Sequence, residues 1–192
     1  MSAAIFSAML LVVSVAALVA AAVVDLSHRI IPNRLVLVIA ACGVGRRLLL
    51  APGLIWFDLL ATASIVVALG FLAHHEWIGG GDVKLIAAVT LLFPLSDAGA
   101  LLLSIAVAGG LMGVAYLVMR AIVAKIPEPR FCPAAIRDTR DKPRDFGHLL
   151  RGERTRIAAG EPMPYALAVL GGVIYRIVSE AIQCLSATSC SL

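Results

Sequence analysis

Two carboxylates, Asp25 and Asp82, stand directly against long apolar runs. Asp25 ends the first such run, and Asp82 closes the run Gly79-Gly80-Gly81-Asp82. An ionisable group beside hydrocarbon is costly, so it is a functional-site candidate by default. Two carboxylates sharing one site cannot both ionise cheaply, and one proton is held between them. The ionised member can take a proton from a water that attacks a peptide carbonyl. The protonated member donates to the carbonyl oxygen. Such a pair titrates as a unit, so the sequence assigns neither role to either residue. The glycines before Asp82 remove side chains, which would let a substrate backbone or the first helix approach closely. Asp82 also precedes Val83, where a helix is expected to start, and would serve there as an N-cap.

The elements that must position this pair are membrane helices. The chain has 192 residues and is 61% hydrophobic, with a mean hydropathy of +0.99. A soluble domain is nearer to about 45–50% apolar. The fold class expected is all-α, a polytopic membrane protein of about six transmembrane helices, with 1–192 forming a single transmembrane domain. Apolar segments fall at about 3–24, 35–50, 54–73, 83–95, 98–119 and 162–179. A spanning helix needs about 20 apolar residues, which the first, third and fifth provide. Residues 1–24 lack a basic n-region and read as a retained span rather than a signal peptide. Asn33 is expected to cap the second helix and Ser96-Asp97 the fifth. Arg176 and Glu180, spaced i,i+4, can pair on one face of the sixth.

Charge sets the topology. If the short fourth segment, 83–95, crosses, then 25–34, 74–82 and 120–161 share one side. The last of these carries ten Lys or Arg against six Asp or Glu. The positive-inside rule makes that side the cytoplasm and puts both termini outside. Asp25 and Asp82 then lie at one depth on the cytoplasmic side. Either alone reads more simply as an interfacial carboxylate. Arg46 and Arg47 run against the rule, because this topology puts them outside. Residues 121–161 read as a polar cytoplasmic loop, with a short helix near 145–157.

Other functions find less support. No aromatic-basic interleaving points to nucleic acid. No Gly-Lys-Ser/Thr follows the glycines, which excludes a phosphate loop as a motif. Cys42, Cys132, Cys184 and Cys190 form no CxxC pair. Cys184 and Cys190 either pair outside the cytoplasm or remain two thiols. His28, His74 and His75 share the inner side but match no compact ligand spacing, so neither a metal nor a cofactor is expected.

At these residues the chain resembles a known family. Asp25 with Arg29-Ile30-Ile31-Pro32-Asn33, then Gly79-Gly80-Gly81-Asp82-Val83-Lys84-Leu85, is similar to the type IV prepilin peptidases. These are GxGD aspartyl proteases of the bacterial inner membrane. Gly79 and Gly81 match the motif glycines, and Lys84 and Leu85 its continuation. Pro164-Tyr165-Ala166-Leu167-Ala168 resembles the family's late Pro-Tyr segment. The resemblance implies that Asp25 and Asp82 are the catalytic pair, with Gly79, Gly81, Lys84, Pro32, Asn33, Pro164 and Tyr165 supporting them. It implies a prepilin or pseudopilin substrate, cut at its basic leader on the cytoplasmic face. Contact with pilus assembly machinery is a further implied partnership, beside the lipid bilayer itself. Larger members carry a segment with a cysteine tetrad and also methylate the new N-terminus. This sequence has no such tetrad and resembles the small form of Flp-type, tight-adherence pili, so peptidase activity alone is expected.

Two other readings compete. A proton- or cation-coupled transporter could use Asp25 and Asp82 as its intramembrane carboxylates. It would favour an internal repeat in matched halves, and none is visible. A structural subunit of a secretion or pilus machine would tolerate loss of both aspartates.

Overall fold

The computed structural model describes residues 2–76, 78–125 and 164–189. Six helices follow one another: α1 (Ser2–His28), α2 (Asn33–Leu50), α3 (Ile55–His74), α4 (Gly80–Thr90), α5 (Leu95–Lys125) and α6 (Tyr165–Ser189). A single 3-10 turn, Pro52–Leu54, links α2 to α3. Among the described residues there is no strand, and the all-α class stands. The chain forms two compact units, 1–110 with 164–192, and 111–163. Of the second, residues 111–125 are described. They continue α5 as helix, with Leu111, Val114, Leu117, Val118 and Ile122 exposed. Helix thus runs to Lys125, about a turn past the expected start of the polar loop. The rest of that loop, its short helix near 145–157, Cys132, Cys190 and the side chain of Cys184 lie outside the described residues.

Contacts within the first unit fix the helix directions. Arg46 Nε of α2 donates to Ser7 Oγ of α1 at 3.2 Å, so these two helices are antiparallel. Gly81 lies against Ile31, and Gly43 against Leu91, so α4 runs parallel to α2. Gly172 of α6 meets Ile105, and Gly109 meets Tyr165, so α5 and α6 are antiparallel. Asp25, Ile31, Gly81 and Tyr165 therefore share one end of the bundle. Ser7, Arg46, Asp58, Leu92, Asp97 and Arg176 share the other. Of the segments grouped by charge in the sequence, 25–34 and the described part of 74–82 share this end, and most of 120–161 lies outside the described residues.

Helices α1, α3, α5 and α6 contain stretches long and apolar enough to cross a membrane. Their outward faces carry Phe6, Val12, Trp56, Phe57, Leu60, Val67, Phe71, Leu103 and Val107, all exposed. Such faces need hydrocarbon around them. Helix α4 has only 11 residues, or roughly 16 Å at 1.5 Å per residue, against about 30 Å of hydrocarbon. It is buried almost all round, through Val83, Leu85, Ile86, Ala87, Ala88, Val89 and Thr90. A helix that is apolar on every side belongs inside other helices. Leu85, Val89, Leu92 and Phe93 accordingly join Leu18, Ile39, Leu101, Ile105, Val169 and Val173 in one core.

A short helix leaves unpaired backbone groups inside the bundle. Side chains from α2 and α3 supply the missing partners. Arg46 Nη1 donates to the Leu92 carbonyl just past the end of α4. Asp58 Oδ1 accepts the Leu95 N–H at 3.1 Å, at the start of α5. Asp58 Oδ2 accepts from Arg47 Nε at 2.7 Å, with both side chains buried. This explains the two arginines on the wrong side of the charge rule: they are bound within the bundle rather than free in a loop. Arg176 pairs with Asp97 at 3.0 Å and with Glu180 at 3.6 Å, the latter as the i,i+4 spacing predicts.

Two expected caps differ. Helix α2 starts from Pro32, whose carbonyl accepts the Leu35 N–H at 3.0 Å, and Asn33 is already inside the helix. Proline's fixed φ and missing N–H suit it to a helix start, leaving Asn33 exposed. Asp97 N donates to the Pro94 carbonyl at 2.9 Å, so Ser96 and Asp97 also lie within the first turn of their helix.

Breaking a buried pair leaves one charge uncompensated, at a cost of about 3–5 kcal/mol. Arg47→Leu is expected to lower the thermal midpoint of the detergent-solubilised protein sharply. Arg47→Leu combined with Asp58→Asn should recover part of that loss, because the amide carries no charge and its oxygen could still accept the Leu95 N–H. A double variant no more stable than Arg47→Leu contradicts this account of the pair.

Candidate functional site

Asp25 lies in the last turn of α1 and is only 6% exposed. Its Oδ2 accepts the backbone N–H of Ala166, at the start of α6, at 3.1 Å. Asp82 lies in the first turn of α4 and is half-buried. The helix begins earlier than expected, at Gly80 with Gly79 as its N-cap residue. Asp82 is therefore the third helical residue, not the cap. Its backbone N–H donates to the Gly79 carbonyl at 3.0 Å.

Burial pushes the Asp82 carboxyl up from 3.8 to about 6, and the negative charge of Asp25 pushes in the same direction. The Gly79 backbone N–H works against both by favouring the charged form. The Asp82 carboxyl thus lies within reach of the Asp25 charge. Asp82 also acts electrostatically on the Tyr165 hydroxyl. The Tyr165 ring packs against Gly109 of α5, where a Cβ would come within 3.2 Å of it.

The glycines play distinct parts. A Cβ on Gly79 would fall 2.8 Å from Asp82 Oδ2. The close approach at this position is to the carboxylate of Asp82 itself, not to the first helix. A Cβ on Gly81 would meet Ile31 at an ordinary 3.6 Å, and one on Gly80 would meet nothing within 4 Å. The two helices that lead into this end, α1 and α3, are each followed by a left-handed residue, Arg29 at φ 56° and Glu76 at φ 61°. Glycine is the usual occupant of that conformation.

Of the residues singled out in the sequence, Asp25, Asp82, Gly79, Gly81 and the Pro164-Tyr165 turn meet at one end of the bundle. Pro32 starts α2 beside them. Lys84 projects away from the buried face of α4, and Asn33 is exposed. Among the described residues no three His, Cys, Asp or Glu side chains gather as a metal site would need, His28, His74 and His75 included. Two participants escaped the sequence reading. The Ala166 donor is a backbone N–H, which no side-chain pattern reveals. Gly109 had no motif around it. The pairing of Arg47 with Asp58 was also missed, although the two lie only 11 positions apart.

Fold and site together define a polytopic helical membrane protein with two interacting carboxylates at one end of its bundle. A model of the type IV leader peptidase family matches residues 12–118, more than half of the chain, and the protein belongs to that family. It is thus a protease of a membrane-embedded family whose substrates are prepilins. The matched range includes Asp25 and Asp82 but ends before Pro164. No curated protein and no solved structure matches the chain.

The Asp82 carboxyl holds its proton more tightly in the folded chain than when free. Protonation favours the folded state, so this group's stabilising contribution is full below its ordinary value of 3.8 and lost as pH rises through about 6. Asp25→Asn removes one of the two upward causes. The Asp82 titration midpoint, followed by the infrared carboxyl band, is expected to fall below about 6 in that variant while staying above 3.8. An unchanged midpoint would separate the two residues. Among the glycines, Gly79→Ala should lower peptidase activity by about tenfold or more by displacing the Asp82 carboxylate. Gly80→Ala should stay close to wild type. Equal effects of the two in a cleavage assay would remove the reason given for Gly79.

Proposed function

We propose that the protein is an aspartic-type endopeptidase that removes the leader of type IV prepilins or pseudopilins. The observation that carries this reading is the placement of Asp25 and Asp82 at the same end of the bundle, both at least half-buried, with the charge of Asp25 acting on Asp82. One carboxyl of the pair is protonated and the other ionised. Water attacks the scissile carbonyl and passes a proton to the ionised carboxylate. The protonated carboxyl gives its proton to the carbonyl oxygen. Collapse of the resulting diol breaks the C–N bond, and the leaving amine takes up a proton. Neither carboxyl is assigned a fixed role, because the two titrate together.

The site faces the cytoplasm of the bacterial inner membrane in this reading. Supporting it are the ten basic residues between 120 and 161 and the grouping of Asp25, Ile31, Gly81 and Tyr165 at one end. The substrate is a Flp-type prepilin with a short basic leader, and no methylation of the new N-terminus accompanies cleavage. Membership of a protease family leaves the transporter reading without an observation of its own.

Co-expression with a Flp-type prepilin tests the reading by pilin mass. Wild type is expected to remove the leader, while Asp25→Asn and Asp82→Asn, each present and folded in the membrane, leave it attached. The loss should exceed about a thousandfold, as befits groups acting as a unit in the chemistry. Normal processing by either variant would sink the proposal.

A further inference from the structure

Helix α6 enters the site through its backbone, outside the stretch matched by the family model. We propose that the first turn of α6, Pro164-Tyr165-Ala166, is a positioning element for Asp25, acting through the Ala166 N–H. The inference rests on the aspartyl-pair reading above.

The contact joins residues 141 positions apart, and both are buried, with Ala166 at 0% exposure. The first N–H groups of a helix have no partner within it, so Ala166 has a donor to give. Pro164, fully buried and with φ fixed by its ring, sets the entry of the chain into that turn. The positive end of the helix dipole adds to the attraction for a carboxylate. A single N–H on a single oxygen also fixes how the Asp25 carboxylate is rotated. Asp82 from α4 and Tyr165 from α6 also face this region.

The rest of α6 is held so that this donor stays in place. A Cβ on Gly172 would fall 2.7 Å from Ile105 Cα, which makes α5 and α6 touch backbone to backbone. Ser104 Oγ reaches the Gly172 carbonyl at 3.0 Å across the same crossing, its single proton shared with the Leu101 carbonyl at 2.7 Å. Nearer the site, Gly109 leaves room for the Tyr165 ring. Less than two helical turns separate the Gly172 crossing from Ala166. A displacement there would pass directly to the Asp25 contact.

The test removes the donor and keeps the shape. Replacement of Ala166 by lactic acid turns its amide into an ester. The same replacement at Leu170, by its hydroxy acid, serves as control, because that N–H belongs to the helix interior. Ala166→Pro removes the same donor by ordinary mutagenesis at the second residue of α6, where it also restricts the backbone of Tyr165. A hydrogen bond to a charged group corresponds to about a tenfold to hundredfold effect. Both Ala166 variants are expected to lose kcat on that scale with KM within about twofold of wild type, while the Leu170 ester keeps its kcat. An Ala166 ester as fast as wild type, or no slower than the Leu170 ester, overturns the inference. Asp25→Asn and Asp82→Asn are assayed alongside. If both are inactive while the Ala166 ester is normal, the positioning role alone fails. If either aspartate variant cleaves normally, the aspartyl-pair reading fails with it.

Discussion

The structure depends on how a helix of 11 residues can end inside an apolar bundle. Backbone groups at its ends cannot be left to hydrocarbon. At one end, Arg46 meets the Leu92 carbonyl, and Asp58, held by Arg47, meets the Leu95 N–H. These contacts allow the chain to turn within the bundle and start α5. At the other end, α4 begins from Gly79 with Asp82 in its first turn. The length of α4 and its polar terminus together set the depth of Asp82. Charged residues far from the candidate site thus determine where one of its carboxylates lies.

The site draws on three parts of the chain that are distant in sequence. Helix α1 brings Asp25, α4 brings Asp82, and α6 brings the Ala166 N–H and Tyr165. Tight crossings hold these helices in register. Gly43 lies so near Leu91 that a Cβ would approach its backbone to 2.9 Å, which locks α2 to α4. Gly172 does the same between α6 and α5. Small residues that let backbones touch are a recurrent device where lipid provides no hydrophobic drive between helices. Here they place two carboxylates within mutual electrostatic influence in a half-buried setting. In that setting burial and the charge of Asp25 raise the Asp82 carboxyl to about 6.

Much of this was legible in the sequence. Apolar runs give the six helices and their order, although only α1, α3, α5 and α6 contain stretches long and apolar enough to cross a membrane, two fewer than the six spans expected. Asp25 and Asp82 stood out as carboxylates against apolar runs. Less visible were features made by the backbone. The start of α4 at Gly80 rather than Val83 moved Asp82 from the cap into the first turn, since in a run of three glycines each is acceptable as an N-cap and none marks the start. Pro32 displaced Asn33 as the start of α2 through its fixed φ, which side-chain capping preference does not register. The Ala166 donor, the Gly172 crossing and the place of Tyr165 over Gly109 depend on helix packing, which hydropathy does not encode. Arg46 and Arg47 looked like exceptions to a topology rule until their partners Leu92 and Asp58 were in view.

The central claim is that α1 and α4 bring Asp25 and Asp82 to one site. Its most direct measurement is cross-linking of an Asp25→Cys, Asp82→Cys variant in native membranes, with the four natural cysteines replaced. A Gly81→Cys, Ile31→Cys variant serves as the reference for two segments in contact at the same end. The account predicts that a short bifunctional thiol reagent joins residues 25 and 82 as it joins 31 and 81. Efficient linkage of the reference pair with none between 25 and 82 would contradict it.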